Sequence, residues 1–176
     1  MTGMNASHHE GLPSGLRFHV IVTSDTIARM MARCEQFSDQ SGDTAIGLVS
    51  AAGFEVADRE YLPNRLEMIR DSVKRAASSG AADVVLVIGG TGISGRDKSI
   101  EAIDPLLDKQ LPGFGELFRR LSYEAIGTPA IASRAVAGVS GGSLIFALPG
   151  SPDAVRLAIE GIILPECQHL LKMLRG

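Results

Sequence analysis

The sequence predicts a three-layer α/β/α domain on a mostly parallel central sheet. Apolar, strand-like runs alternate along the chain with segments of helical periodicity, the order that builds parallel sheets from crossover units. One run, Val84–Ile88 within ADVVLVIGG (82–90), is apolar at five consecutive positions, the pattern of a strand covered on both faces. Three stretches close strand-like runs with turn chemistry: TSD (23–25), GGTG (89–92) and PGSP (149–152). In open α/β sheets ligands sit beyond the carboxyl ends of the strands, so these turns are where a site is expected.

The elements follow in order. Residues 1–15, MTGMNASHHEGLPSG, are polar and glycine-containing and are expected to form a flexible arm ahead of a single domain spanning 16–176. They contain no apolar signal core, and the adjacent His8 and His9 read as solvated. RFHVIVTSD (17–25) reads as a buried strand. DTAIGLVSAAG (43–53) is a helix closed by Gly53, and FEVADREYLP (54–63) a second strand whose charges place it toward an edge. NRLEMIRDSVKRAASSG (64–80) carries Leu66, Ile69, Val73 and Ala76/Ala77 on one helical stripe. Val84–Ile88 is the central strand, followed by a helix over SIEAIDPLL (99–107) with Ser99 as candidate cap. PGFGELFRRLSYEAIG (112–127) reads as a loop entering a helix, with Phe114 and Phe118 in the core. TPAIASRAVAGVSGG (128–142) is ambiguous, SLIFALPGSP (143–152) is the last strand, and DAVRLAIEGIILPECQHLLKML (153–174) is a closing helix bent near Pro165.

Composition sets the outer limits. A chain of 176 residues is long enough for one sizeable domain, burying about 70% of its unfolded surface. Hydrophobic residues at 45% and charged residues at 21% argue against disorder, and the net charge of -3 gives no basic field for nucleic acid or anionic membrane. No apolar stretch approaches the ~20 residues of a membrane span. Cys34 and Cys167 are far apart and read as two reduced thiols, which fits a cytoplasmic address.

Gly90-Thr91-Gly92-Ile93-Ser94-Gly95 has the literal form of a dinucleotide fingerprint. That fingerprint requires an acidic residue about 20 positions on, at the end of a following strand. LPGFGE stands there instead, with Glu116 but no strand before it, and the third glycine runs into Arg96-Asp97-Lys98 rather than a helix. No G-x-x-x-x-G-K-[ST] phosphate loop occurs either. What remains is Gly-Gly-Thr-Gly after a buried strand. Either its successive backbone amides form an anion cradle with the Thr91 hydroxyl beside it, or its glycines only serve a tight turn.

Taken together, VTSD (22–25), DQSG (39–42), LPN (62–64), GGTGISGRD (89–97), LPGFGELFRRLSYEAIG (111–127), SRAVAGV (133–139) and LPGSPDAV (148–155) resemble the molybdopterin-binding domain family. The likeness is to its molybdopterin adenylyltransferase and molybdenum cofactor biosynthesis protein B branch (MogA/MoaB type), and it runs from Arg17 to Leu171.

The resemblance implies binding of molybdopterin and MgATP, with AMP transferred to the terminal phosphate of the pterin and pyrophosphate released. That reaction needs anion binding, in-line alignment and a cation between phosphates, and no strong general base, because a phosphate oxygen is already ionised. Asp97 then matches the catalytic or Mg2+-positioning carboxylate; otherwise it is a helix-start residue. Gly89, Gly90, Thr91 and Gly92 match the phosphate cradle, with Arg96 and Lys98 flanking it. Asp39, Ser41 and Gly42 match a ligand-facing helix start, although capping alone also explains Asp39 or Ser41. Asp25 matches an end-of-strand site residue, Glu116 and Ser133 pterin-side contacts, and Gly150 and Ser151 a nucleotide-side turn.

In one place the chain departs from the family pattern. Adenylyltransferase members carry Asp in the position of Asn64, after Pro63. An amide offers an oxygen but no charge, so Asn64 implies weaker Mg2+ binding or slower transfer. The alternative is therefore a catalytically weak or inactive accessory protein of the same pathway, binding pterin or nucleotide. The resemblance further implies a trimer or hexamer of this chain, with the small-residue stretch 128–142 and the C-terminal helix as possible contacts, and a partner that inserts molybdate.

Overall fold

The computed structural model describes residues 12–78 and 80–176. His8, His9 and most of the expected arm lie outside them. The end of that arm, where Pro13 O accepts a 2.9 Å hydrogen bond from Gln168 Nε2, lies inside.

Strand β3 (Val84–Ile88) is buried at all five positions, and this is what places it mid-sheet. It pairs in parallel with β1 (Arg17–Thr23) on one side and β6 (Ser143–Leu148) on the other. Beyond β1 lies β2 (Glu55–Leu62), parallel and at the edge, as its charged sequence predicts. Beyond β6 lie β5 (Val136–Ser140) and β4 (Lys109–Gln110), giving the order β2-β1-β3-β6-β5-β4 among the described residues. β5 runs antiparallel to both its neighbours, so the sheet is mixed, with a parallel block of β2, β1, β3 and β6.

Alternation along the strands separates two cores. Phe18, Val20, Leu86, Ile88, Phe146 and Leu148 face one side, covered by α2 (Gln40–Ala51), α5 (Pro112–Ile126), α6 (Pro152–Ala158) and α7 (Leu164–Arg175). Ile21, Val85, Val87 and Ile145 face the other, covered by α3 (Leu66–Ser78) and α4 (Ser99–Ile103). The stripe expected on α3 is the buried one, through Ile69, Val73, Ala76 and Ala77. Phe114 and Phe118 are core residues, and Phe114 packs edge-on against Phe146 with ring centroids 5.1 Å apart.

Several elements differ from expectation. A further helix, α1 (Asp25–Ala32), follows β1 directly; none of its residues is fully buried, and at eight residues it is too short for its apolar positions to repeat along the sequence. No loop precedes α5: it begins at Pro112, whose fixed φ and missing N–H suit a first helical position. Ser99 does not cap α4. Lys98 holds that place, and the Ser99 hydroxyl instead donates to Gly89 O at 2.6 Å. The ambiguous stretch resolves into a 3-10 turn (Thr128–Ala132) and β5. The closing helix is interrupted near Pro165, through a π segment at Ile159–Ile163 whose end is closed by Leu164 N–H donating to Ile159 O.

Candidate functional site

The parallel block sets three strand ends at one level. β1 and β3 pair through Val22 and Ile88, and β3 and β6 through Ile88 and Leu148, so the chain leaves all three on the same edge. From β1 the chain turns outward to β2 and then returns to β3 on the other side, which makes the β1/β3 boundary the switch point of the sheet. A cleft of ≈ 1020 Å³ opens there, and each of the three expected turns contributes to its wall.

Its floor is a knot of short hydrogen bonds. Thr23 Oγ1 donates to Ile88 O at 3.2 Å and lies 3.2 Å from Ser99 Oγ, which donates to Gly89 O. Gly89 and Gly90 turn the chain with φ of 95° and 63°. Gly89 N–H is taken by Leu148 O, but the amides of Gly90, Thr91 and Gly92 have no partner among the described residues. Consecutive amides left open beside a cavity are an arrangement able to take up an anion. The loop is held from outside by Arg134, whose Nη1 donates to Gly92 O at 3.0 Å and whose Nη2 pairs with Glu101. That pairing lowers the Glu101 pKa.

Three helices start at the cleft, and unpaired amides at helix N-termini favour negative charge. Ser24 caps α1, accepting from Ile27 N, and Asp25 is its first residue. Asp25 Oδ1 accepts the Asn64 N–H at 2.8 Å, fastening the end of β2 to α1. Asp39 caps α2 through Gly42 N and forms an ion pair with Arg59, which also reaches Asp43. Burial pulls the Arg59 pKa down, and its hydrogen bonds to Asp39 and Asp43 outweigh that and leave it raised. Ser41 Oγ donates to Gly150 O at 2.7 Å. Ser151 caps α6.

The cleft thus gathers Asp25, Asp39, Ser41, Asn64, Gly89, Gly90, Thr91, Gly92, Asp97, Ser133 and Gly150. Gly42, Glu116 and Ser151 do not line it: Gly42 is packed behind Asp39 and Arg59, Ser151 faces its own helix, and Glu116 is exposed on α5. Asp97 Oδ2 accepts from Ser94 N at 3.0 Å and lies against Gly92, where a Cβ would come within 2.6 Å. Asn64 Oδ1 lies over Gly90, buried and without a hydrogen-bond partner among the described residues. Around an unpartnered acceptor and a carboxylate stand three open amides and one lining cation, Arg96. Arg134 and Arg59 were not singled out from sequence as site residues. Arg134 lies inside SRAVAGV, but nothing local connects it to Gly92.

An open α/β sheet with a glycine turn and helix starts at its switch point defines an α/β protein of the class that binds ligands beyond its strand ends. The chain belongs to the molybdopterin-binding domain family: the family described as "Probable molybdopterin binding domain" matches residues 19–169. Molybdenum cofactor biosynthesis protein B of Bacillus subtilis is 42% identical over 169 residues, covering 96% of this chain and 95% of that protein. The tungsten cofactor synthesizing protein MoaB of Pyrococcus furiosus superposes with a TM-score of 0.81 at 38% identity, covering 93% of this chain and 99% of that one. The molybdopterin biosynthesis Mog protein of Mycobacterium ulcerans gives 0.78 at 26% identity, over 90% and 99%.

Proposed function

We propose that the protein acts in molybdenum cofactor biosynthesis, binding molybdopterin and MgATP in this cleft and transferring AMP to the terminal phosphate of the pterin. The observation that carries this reading is the run of open amides at Gly90, Thr91 and Gly92, flanked by Asp97 and the unpartnered Asn64 Oδ1.

A pterin phosphate oxygen bonds to the α-phosphorus of ATP, the bond from that phosphorus to the bridging oxygen breaks, and pyrophosphate leaves. The amides of Gly90–Gly92 and the starts of α1 and α2 bind and align the phosphates. Thr91 and Ser133 offer hydroxyls to the same space. The donor set fits Mg2+ arriving on nucleotide phosphates: no group of three acidic, histidine or cysteine side chains forms a cage among the described residues, and Mg2+ commonly takes one or two protein oxygens plus phosphates. Asp97 and Asn64 Oδ1 would hold it, and it would neutralise charge between phosphates.

Asn64 supports a second reading, an accessory protein that binds pterin or nucleotide with little turnover. Incubation of the purified chain with MgATP and molybdopterin separates the two. Pyrophosphate and adenylylated pterin are expected, and Asn64→Asp is expected to raise the rate on the order of tenfold by restoring charge to the cation. Product from Asn64→Asp with none from the native chain would favour the accessory role.

Assembly and location extend the proposal. Leu117, Tyr123 and Ile126 are exposed on α5, with Ile131 just beyond at 92% exposure, a surface suited to self-association as a trimer or hexamer. Light scattering reads the number. Among the described residues no helix is long and apolar enough to cross a membrane. A cytoplasmic address and hand-over of product to a molybdate-inserting protein complete the proposal.

A further inference from the structure

A second compartment of ≈ 710 Å³ adjoins the first, and Asp25 and Arg96 line both. Its remaining wall includes Arg29, Arg65, Met31, Met68 and Tyr61, from α1, the end of β2 and the start of α3. Its charge distinguishes it from the rest of the molecule. Among the described residues every arginine is ion-paired except Arg29, Arg65, Arg96 and Arg119. Three of those four line this one compartment. Among the described residues Arg29 bonds only to neutral acceptors, Asp25 O at 3.2 Å and Thr26 Oγ1 at 3.5 Å, so no ion pair there offsets its charge. The side chains of Arg65 and Arg96 have no hydrogen-bond or ion-pair partner among the described residues. Only Asp25 opposes them in the lining, and it already accepts the Asn64 amide.

In a chain of net charge -3, three uncompensated guanidinium groups on one concave surface are a local positive field. Guanidinium forks match phosphate oxygens in pairs, and Met31, Met68 and Tyr61 supply apolar surface beside them. Three guanidinium groups against one carboxylate, Asp25, leave a net positive lining that suits a multiply charged anion, and pyrophosphate offers oxygens from two phosphates to more than one guanidinium fork.

We infer that this compartment is a second phosphate site, which takes a ligand of the pyrophosphate class directly on arginine and without a metal. Arg96, lining both compartments, joins it to the amide cradle. A phosphate chain seated on Gly90–Gly92 therefore has a continuous cationic path outward. Assigning the released pyrophosphate to this path rests on the adenylyl-transfer reading; anion binding at the site does not.

Calorimetric titration of the full chain with sodium pyrophosphate in the presence of a chelator tests it. Saturable binding that weakens with salt is expected. Arg65→Ala and Arg29→Ala, which lie outside the first cleft, should each weaken it on the order of tenfold. Arg65→Lys should restore only part, because a point charge replaces a fork. Orthophosphate and sulfate at matched ionic strength should bind more weakly. No saturable binding, unchanged affinity in both alanine variants, or sulfate equal to pyrophosphate would each overturn the assignment. The titration contains neither ATP nor pterin, so absence of adenylyl transfer leaves its result intact. Failed pyrophosphate binding equally leaves the adenylyl-transfer reading standing.

Discussion

Gly90 carries two demands at once. Its φ of 63° is costly for any residue with a Cβ, and a Cβ there would lie 2.1 Å from Asn64 Oδ1 and 2.6 Å from Ser99 Oγ. Gly90→Ala is expected to lose about 1–2 kcal/mol from backbone strain alone. It should lose far more in nucleotide affinity, because the methyl group occupies the cradle; thermal melts and nucleotide titration read the two effects separately. Such residues were legible in sequence because a phosphate cradle must be made of consecutive positions: Gly89 to Gly92 and Asp97 fall within nine residues of chain. Arg59 and Arg134 were not, since their bonds to Asp39 and Gly92 span 20 and 42 positions. The cysteines divide by burial. Cys167 is fully buried, and that burial pushes its thiol up to about 11, whereas Cys34 is exposed. A thiol reagent at neutral pH should modify Cys34 and spare Cys167 until the protein unfolds; two modified thiols per native chain would contradict this.

The elements that position the site are those whose ends were hardest to read. β3 announced itself by five apolar residues and α3 by its stripe, because each has a face committed to a core. α1 buries no residue fully and spans only eight residues, so its apolar Ile27, Met30 and Met31 barely repeat, and the cap at Ser24 marks its start. α5 was read with a loop at its start because two glycines follow Pro112, yet Gly115 packs against Ala135 O and Phe114 anchors the first turn in the core. β4 and β5 escaped because two exposed residues and a run of small ones carry little periodicity. The cap of α1 gives this scale its test. Ser24→Ala removes the acceptor for Ile27 N and should cost about 0.5–2 kcal/mol. Because Ser24, Asp25 and Thr26 line the cleft, the same change should weaken phosphate binding, whereas loss of a cap remote from the site would affect stability alone.

Across the whole molecule the sheet has one open end and one closed end. The carboxyl edge leaves amides and carboxylates facing a cleft. At the amino edge, Asp83 ties four elements together. Its carboxylate accepts the Arg17 N–H at 2.8 Å and pairs with Arg175 at the end of α7. Its backbone donates to Arg17 O and accepts from Leu144 N, so β1, β3, β6 and α7 meet there. Burial alone would raise the Asp83 pKa, but the hydrogen bonds from Arg175 and Arg17 and their charges outweigh it and leave it lowered. A carboxylate with a lowered folded pKa binds protons more weakly folded than unfolded. Its stabilisation is therefore complete above its unfolded value of about 4 and is lost as pH falls through the folded value. Asp83→Asn keeps the shape and removes the charge, leaving two guanidinium groups without their carboxylate. At pH 7 it should destabilise by about 1–3 kcal/mol, and in acid, at a pH below the folded value, native and variant stabilities should converge. Denaturant titration at both pH values reads the difference. A constant gap across the range would place the role of Asp83 in packing rather than charge, and an unaltered cleft affinity in the variant is expected because the clamp stands at the opposite edge of the sheet.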